Sequence, residues 1–579
     1  MGVRRVRGWL PILDWGRRYD GATFTADLLA AVIVTIMLIP QGLGYAMLAN
    51  LPPEAGLYAS ILPLLAYAAF GSSRTLAVGP VAVVSLMTAS AVAPVVDAGL
   101  ADAVSAAVTL AALSGAMLVV MGILRLGFLA HFLSHPVISG FITASGILIA
   151  AGQLHHILGT PGGGGTLPQI LFALVAQAGE INPGTVILGT GVLVFLYLSR
   201  RYLKGWLTLA GVGPRLADGI ARAAPILAIA ATIGLARWLD LGGQGVALIG
   251  AIPRGLPSPG LPVLSYDLVV ALIPAALLIS VVGFVESVSV AQTLAARRRE
   301  RIEPDQELVG LGAANIAAAL TSGYPVTGGF ARSVVNFDAG ARTPAAGVFT
   351  AVGIALATLF LTPALADLPQ ATLAATIILA VLTLVDFGAV IRTLRYCRSD
   401  GAAMLATILV TLTLGVEEGI TAGVLLSLIL QQWRSSHPHS AVVGQVPGTE
   451  HYRNIERHRV ITHPRILSLR VDESLYFANA RFLEDRIAAL VADRSGLRHV
   501  VLMCPAVNDI DASALESLEE INRRLAETGI HFHLSEVKGP VMDRLQRSRF
   551  LDHLTGQVFL SQHEAMCRLA GVGCGAEAL

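Results

Sequence analysis

Arg332 stands in an apolar part of the chain, where a charged side chain needs a specific reason. The stretch from Ser322 to Gly340 reads SGYPVTGGFARSVVNFDAG and is broken by Pro325, Gly328 and Gly329. Such a break exposes the free backbone N–H groups at the start of the next helix, and a helix start attracts anions. Because Arg332 adds a full positive charge there, the pattern predicts an anion site.

A second charged side chain, Glu286, lies in the apolar run LLISVVGFVESVSVAQTLA. Gly283, Ser289 and Thr293 have helical spacing around it, which predicts a small, partly polar stripe on one helix face. Two roles fit this carboxylate: it exchanges a proton, or it is a fixed counter-ion in a salt bridge with Arg332. The sequence leaves both roles open.

Neutral donors occur in a third apolar stretch, where Gln41 and Tyr45 follow Pro40. The two residues are four positions apart and therefore share one helix face. They offer an amide and a phenol to the same space. Alone this pair is weak support, because Gln and Tyr also act as interfacial anchors or in helix packing.

The elements that position these residues are those of a polytopic membrane protein. The chain has 579 residues, 54% hydrophobic and 14% charged, with mean hydropathy +0.68, whereas soluble domains carry roughly 25% charged residues. The 40 basic and 39 acidic residues give no reason to expect nucleic acid as a partner. The two lysines, Lys204 and Lys538, lie outside any phosphate-binding loop, which argues against an ATPase. No residue pattern predicts an enzyme, a cofactor or a metal site.

Apolar segments follow one another between residues 24 and 433, and several are shorter than the roughly 20 residues of a full helical span. We predict fourteen segments in two sets of seven. The first set comprises residues 24–40, 55–70, 79–93, 103–122, 134–154, 183–199 and 224–240. The second set comprises residues 267–292, 307–320, 328–340, 345–362, 371–390, 402–416 and 418–433.

Basic residues set the predicted orientation, because short cytoplasmic loops collect Lys and Arg. With the N-terminus in the cytosol, the predicted inner loops carry Arg74, Arg125, Arg200, Arg201, Lys204, Arg297, Arg298, Arg299, Arg301, Arg342, Arg392, Arg395 and Arg398. Arg254 is the main exception. Because each half has seven spans, the second half starts from the outside of the membrane, which predicts that the two halves are inverted relative to each other. The half-spans that follow Gly79-Pro80 and Gly328-Gly329 would then begin opposite each other near the middle of the membrane.

The composition changes after Trp433. Residues 1–434 are predicted to be the transmembrane domain and residues 435–460, with Pro, Gly, His and Arg, a soluble linker. From 461 to 572 strand-like and helical patterns alternate, which predicts a small α/β domain, followed by a tail at 573–579. Because this domain is charged and follows an even number of spans, we expect it in the cytosol.

Several stretches together resemble one family. PQGLGYAMLANLPPEAGLYAS, GSSRTLAVGPVAVVSL, VGFVESVSVAQTLA and GGFARSVVNF, followed by NDIDASALESLEEI, are similar to the sulfate-permease (SulP) anion transporters with a C-terminal STAS domain. The resemblance covers nearly the whole chain. It implies a seven-plus-seven inverted repeat similar to the uracil permease, a mobile core that holds the substrate, a gate and a homodimer.

The resemblance also implies roles for individual residues. By motif, the anion site would be lined by Gln41, Tyr45, Gly79, Pro80, Val81, Phe330, Ala331, Arg332 and Ser333. Glu286 matches an acidic position that is Glu in members similar to plant sulfate transporters, which implies proton coupling, whereas the bicarbonate carriers use Asp and sodium. Ala331 stands where many relatives have Ser, and this departure leaves the identity of the anion open.

In the STAS domain, Asp509, Asp511 and Ser513 match the loop that carries a phosphorylated serine in anti-sigma-factor antagonists. Regulation at Ser513 is one interpretation, and ordinary helix capping is the other.

These patterns predict a secondary transporter that takes up sulfate with protons by alternating access, as a multi-pass protein of the cell (inner) membrane in contact with lipid. A carrier or exchanger of bicarbonate, a dicarboxylate or chloride is the alternative. A membrane-anchored sensor or channel-like protein is a further one.

Overall fold

A computed structural model describes residues 10–131, 134–211, 213, 217, 224–253, 255–257, 259–260, 262 and 265–571. The predicted tail at 573–579 and the topological exception Arg254 lie outside the described residues. The chain divides into two compact units, Met1–Ser427 and Leu428–Leu579. The domain boundaries drawn from the sequence stay a prediction.

The first half of the apolar unit contains one short strand and a series of helices. They are α1 (Ile12–Trp15), α2 (Gly21–Leu48), α3 (Pro53–Tyr58), α4 (Leu62–Phe70), β1 (Val78–Gly79), α5 (Ala82–Asp97), α6 (Ala103–Ile123), α7 (His135–Gly152), α8 (Leu154–Leu158), α9 (Leu167–Ala176), α10 (Pro183–Leu198), α11 (Lys204–Leu209) and α12 (Ala224–Trp238).

The second half has the same plan. It contains α13 (Tyr266–Arg298), α14 (Pro304–Ala319), β2 (Thr327–Gly328), α15 (Phe330–Asp338), α16 (Ala345–Phe360), α17 (Thr362–Leu365), α18 (Gln370–Val381), α19 (Phe387–Tyr396), α20 (Arg398–Thr413) and α21 (Val416–Ser436). In each half a short strand leads into a helix, β1 into α5 and β2 into α15, as predicted for an inverted repeat. The predicted fold class is confirmed.

Several details differ from the predicted segments. Helix α2 continues through Pro40 to Leu48 and is longer than predicted, because a proline inside a membrane helix is tolerated when neighbouring groups satisfy the freed backbone. Helix α9 (Leu167–Ala176) has no counterpart among the predicted segments. Six helical stretches of the described chain are long and apolar enough to cross a membrane.

Helices α6 and α14 pack closely because both carry glycine at their contact. A Cβ atom on Gly115 would lie 2.7 Å from the backbone nitrogen of Ile316, and one on Gly312 would lie 2.8 Å from the carbonyl oxygen of Gly115. Small residues at such positions let membrane helices approach and gain van der Waals contact. Helix α14 is therefore fixed within the core of its unit.

The second unit is an α/β domain. Its strands are β3 (Ser440–Gln445), β4 (Tyr452–Asn454), β5 (Ile466–Val471), β6 (His499–Met503), β7 (His531–Ser535) and β8 (Val558–Phe559), and its helices are α22 (Ala480–Ala492), α23 (Ala512–Glu527), α24 (Gly539–Arg547), α25 (Phe550–His553) and α26 (Gln562–Ala570). The sheet order is β4-β3-β5-β6-β7-β8, and β5 to β8 are parallel. The helices cover an apolar core that includes Leu467, Val500 and Phe532.

Candidate anion-binding site

The two short strands of the apolar unit meet as an antiparallel pair. Val78 lies opposite Gly328, and Gly79 lies opposite Thr327. Helix α5 begins directly after β1, and α15 begins directly after β2. The starts of two helices therefore belong to one strand crossing, as the sequence predicted.

Hydrogen bonds extend this crossing into helix α15. The backbone N–H of Gly329 donates to the carbonyl of Ala77 at 3.1 Å, and the N–H of Ala77 donates to Oγ of Ser333 at 2.9 Å. The hydroxyl of Ser333 donates in turn to the carbonyl of Gly329 at 2.7 Å. Ser333, a predicted ligand, thus gives its single proton to the start of its own helix and accepts the hydrogen bond that links this helix to the residue before β1.

Arg332 lies at the centre of the crossing and is 2% exposed. Its terminal nitrogens Nη1 and Nη2 are buried and have no hydrogen-bond partner in the described part of the chain. A Cβ atom on Gly79 would lie 2.9 Å from Nη1, and one on Gly329 would lie 2.9 Å from Nη2. The guanidinium therefore rests against two glycines, and no atom of the described residues accepts a hydrogen bond from Nη1 or Nη2.

Two tyrosines and one carboxylate surround the guanidinium. Tyr45 is 8% exposed, Tyr324 is fully buried, and both interact electrostatically with Arg332, as does Glu286. The hydroxyls of Tyr324 and Ser85 are hydrogen-bonded at 3.1 Å. Tyr324 was not predicted, although its place directly before Pro325 in the broken segment was a usable signal.

The salt bridge that the sequence left open is not formed. No ion pair within 4.0 Å joins Arg332 to Glu286 in the described ranges. Glu286 instead lines a cavity of about 20 Å³ whose other lining side chains are all apolar; they are Val137, Ile138, Phe141, Ile142, Val282, Val285 and Ile420. This cavity is lined by residues of α13 and of two other helices, α7 and α21.

The remaining predicted site residues differ in exposure. Pro80 and Val81 are buried in the turn between β1 and α5. Gln41 is half-buried one helical turn before Tyr45, while Phe330 and Ala331 are exposed in the first turn of α15. Buried lining thus comes from β1 and α2, and α15 contributes both buried and exposed positions.

Hydroxyl groups that the sequence analysis missed tie β2 to helix α13. Thr327 donates to the carbonyl of Gly283 at 2.7 Å, and its Oγ1 lies 2.6 Å from the hydroxyl of Ser287. The backbone N–H of Gly328 donates to Ser287 Oγ at 2.9 Å. Ser287 follows Glu286 directly, so the strand crossing and the carboxylate are attached to the same part of α13.

In the α/β domain, Asp511 caps helix α23 by accepting a hydrogen bond from Ala514 N at 2.8 Å, and its other carboxylate oxygen accepts one from Phe477 N, also at 2.8 Å. Asp509 pairs with Arg544. Ser513 is exposed in the first helical turn, and its phosphorylation stays a prediction. Among the described residues no cluster of three His, Cys, Asp or Glu side chains could hold a metal ion.

Fold and site together define the class: a polytopic membrane protein of the inverted-repeat transporter fold with a buried arginine between two half-helices. A model described as the sulfate permease family matches residues 24–407, and a STAS domain model matches residues 458–565. The chain belongs to the sulfate permease family.

Named relatives agree with this assignment, and solved structures agree with the fold. The chloroplastic sulfate transporter 4.1 of Arabidopsis thaliana is 36% identical over 97% of this chain and 84% of its own. A probable sulfate transporter of Mycobacterium tuberculosis (strain CDC 1551 / Oshkosh) is 34% identical over 94% and 95%. SLC26A9 has the same fold at 21% identity, with a TM-score of 0.88 over 98% of this chain and 93% of that one. The transmembrane domain of the cyanobacterial bicarbonate transporter BicA matches with a TM-score of 0.60 at 21% identity over 71% and 98%.

Proposed function

We propose that this protein is a secondary active transporter of an inorganic oxyanion and that sulfate is its substrate. The observation that carries the proposal is the buried guanidinium of Arg332, whose Nη1 and Nη2 donors have no partner within the described residues. A tetrahedral oxyanion supplies several acceptor oxygens to such a fork and to the N–H groups of two helix starts. The names of the two sulfate transporters among the relatives support this choice.

Glu286 is the proposed proton carrier. Glu286 lines a small, otherwise apolar cavity, and it interacts electrostatically with Arg332 without forming an ion pair among the described residues. An anion bound to Arg332 reduces the positive charge near Glu286 and so favours its protonated form. Binding of anion and proton would then reinforce each other, as symport requires.

Alternating access follows from the architecture in this proposal. The strand crossing and α13 move as one body against the helices that face Glu286, among them α7 and α21. We place the N-terminus and the STAS domain in the cytoplasm and the protein in the cell (inner) membrane, surrounded by lipid, as a homodimer. The arginine distribution of the predicted inner loops supports this orientation.

Uptake of radiolabelled sulfate into proteoliposomes of the purified protein tests the proposal. We expect saturable uptake that an inward proton gradient accelerates. Uptake that does not depend on the gradient would refute the proposed proton coupling. Absence of uptake for every oxyanion would refute the proposed transport function. A steady current in a voltage-clamped bilayer without saturable flux would favour the channel-like alternative.

A second candidate keeps the site and changes the anion to bicarbonate, a dicarboxylate or chloride. It is favoured by Ala331, which supplies no hydroxyl donor in the first turn of α15. Helix starts select charge better than shape, so they do not enforce sulfate. A competition panel decides: sulfate uptake that one of these anions suppresses at lower concentration than unlabelled sulfate would establish the second candidate.

A further inference from the structure

A second buried carboxylate, Glu307, lies in helix α14 and is fully buried. Its Oε1 accepts hydrogen bonds from Ser72 N at 2.8 Å, Ser72 Oγ at 2.6 Å and Ser73 N at 2.8 Å. Its Oε2 accepts one from the hydroxyl of Tyr67 at 2.7 Å. Four donors on one buried group are what a charged carboxylate needs, because an ion without partners is very costly inside a protein.

The loop that Glu307 holds leads directly into the strand crossing. Oγ of Ser73 accepts from the N–H groups of Thr75 and Leu76 at 3.4 and 3.2 Å. The carbonyl of Thr75 accepts from the amide of Asn336 in α15 at 3.0 Å. A continuous series of hydrogen bonds therefore runs from Glu307 through the loop before β1 to the helix that carries Arg332.

The same helix also holds the other strand. Asn315, 1% exposed in α14, accepts from the N–H of Val326 at 2.9 Å and donates to its carbonyl at 2.8 Å. Val326 directly precedes β2. Helix α14 thus fixes β1 through Glu307 and β2 through Asn315.

Close packing makes this attachment rigid. A Cβ atom on Gly310 would lie 2.7 Å from the Cα atom of Gly71, so the backbones of α14 and of the loop touch. The amide of Gln306 donates to the carbonyl of Phe70 at 2.6 Å. The loop therefore cannot shift relative to α14 without breaking several contacts at once.

We propose that Glu307 is a positioning residue of the anion site, which with Asn315 makes α14 the element that sets the register of the two crossing strands. The proposal rests on the proposed anion transport. Glu307 does not touch the anion; it fixes where the start of α5 and the guanidinium of Arg332 lie relative to each other. Its loss should weaken anion affinity more than it slows transport at saturation.

Two substitutions that each weaken the hydrogen bonds around Glu307 separate a positioning role from a purely stabilising one. Glu307→Gln keeps the size of the side chain but removes the charge that three loop donors face. Tyr67→Phe removes one donor that belongs to α4 and leaves the loop contacts in place. Both should lower the melting temperature, and only Glu307→Gln should loosen β1.

The experiment measures KM and maximal rate of sulfate uptake in proteoliposomes, with melting temperatures of the same preparations. We expect Glu307→Gln to raise KM roughly tenfold, with a maximal rate per folded protein near that of the wild type. Tyr67→Phe should leave KM unchanged, and Glu307→Asp should fall between the wild type and Glu307→Gln. An unchanged KM in Glu307→Gln overturns the positioning role alone, and so does an equal rise of KM in Glu307→Gln and Tyr67→Phe. A wild-type protein without saturable uptake of any anion overturns the transport function and this role with it.

Discussion

Substitution of Gly79 by alanine tests the site with the least change in chemistry. The added Cβ atom would lie 2.9 Å from Nη1 of Arg332, closer than real Cβ contacts allow, so the guanidinium has to move. Gly79 also has φ +155°, a conformation that side-chain-bearing residues rarely adopt. Such backbone strain costs about 1–3 kcal/mol. Gly79→Ala should therefore reduce both stability and anion binding.

The binding loss follows from the displaced guanidinium. A hydrogen bond to a charged group contributes about 1.5–3 kcal/mol, so losing one weakens sulfate binding roughly 10- to 150-fold. Equilibrium binding of labelled sulfate to the purified variant measures this change, and a thermal melt measures the stability change.

Substitutions at two further glycines separate the displacement of the Arg332 guanidinium from backbone strain. Gly329→Ala places a Cβ atom 2.9 Å from Nη2 of Arg332 at an ordinary φ of −84°, so it should weaken binding with little strain. Gly99 has φ +67°, and no atom lies within 4 Å of a Cβ added there. Gly99→Ala should therefore lose about 1 kcal/mol of stability and bind sulfate normally. Normal sulfate binding by Gly329→Ala would refute the steric reasoning and with it the placement of the anion beside Arg332.

Two other predictions concern protons. Glu286→Gln should still bind sulfate but lose the acceleration of uptake by an inward proton gradient. Full gradient-driven uptake in this variant would show that Glu286 serves only as a counter-ion for Arg332. In the STAS domain, His533 is 4% exposed, accepts a hydrogen bond from Gln557 N at 3.0 Å, and its pKa is lowered by burial to about 4. The unfolded chain then binds more protons between pH 6.5 and about 4, so stability should fall as the pH is lowered through this range, by at most roughly 3 kcal/mol. Thermal melts of the full chain at pH 7 and 5 measure this loss, which should shrink in His533→Gln and persist in the exposed control His458→Gln. An equal loss in His533→Gln would contradict the assignment.

The broken segments were the most predictable part of the fold. Pro325, Gly328 and Gly329 interrupt one apolar run and Gly79-Pro80 interrupts another, and both interruptions became a strand followed by a half-helix. The pattern was informative because non-helical backbone at membrane depth is tolerated only where it is buried in protein or lines a cavity, so a Pro/Gly break in an apolar run marks such a place. The predicted pairing of the two breaks followed from the inverted orientation of the halves.

The polar groups that hold the crossing together could not be predicted in the same way. Glu307 and Asn315 are separated from Ser72 and Val326 in sequence, and only the packing of α14 brings these groups together. Tyr324 was not singled out in the sequence, and the structure makes it part of the arginine's surroundings. Whether Arg332 and Glu286 form a salt bridge also depends on helix placement to within a few ångströms, which side-chain patterns do not determine.

Helix α9 (Leu167–Ala176) was missed for a different reason. The glycines directly before it, Gly162 to Gly165, predict a loop, and the ten residues that follow are too few for a span. Helix α2 was cut too early because Pro40 usually ends a helix in a soluble protein. Helix α9 was thus missed by a length rule for full spans, whereas α2 was shortened by a proline rule from soluble helices.

Equilibrium binding of radiolabelled sulfate to the purified wild-type protein and to Arg332→Ala tests the central claim most directly. The wild type should bind sulfate saturably, and Arg332→Ala should show no saturable binding while it melts cooperatively. Binding of equal affinity and capacity in a folded Arg332→Ala protein would contradict an anion site at the strand crossing.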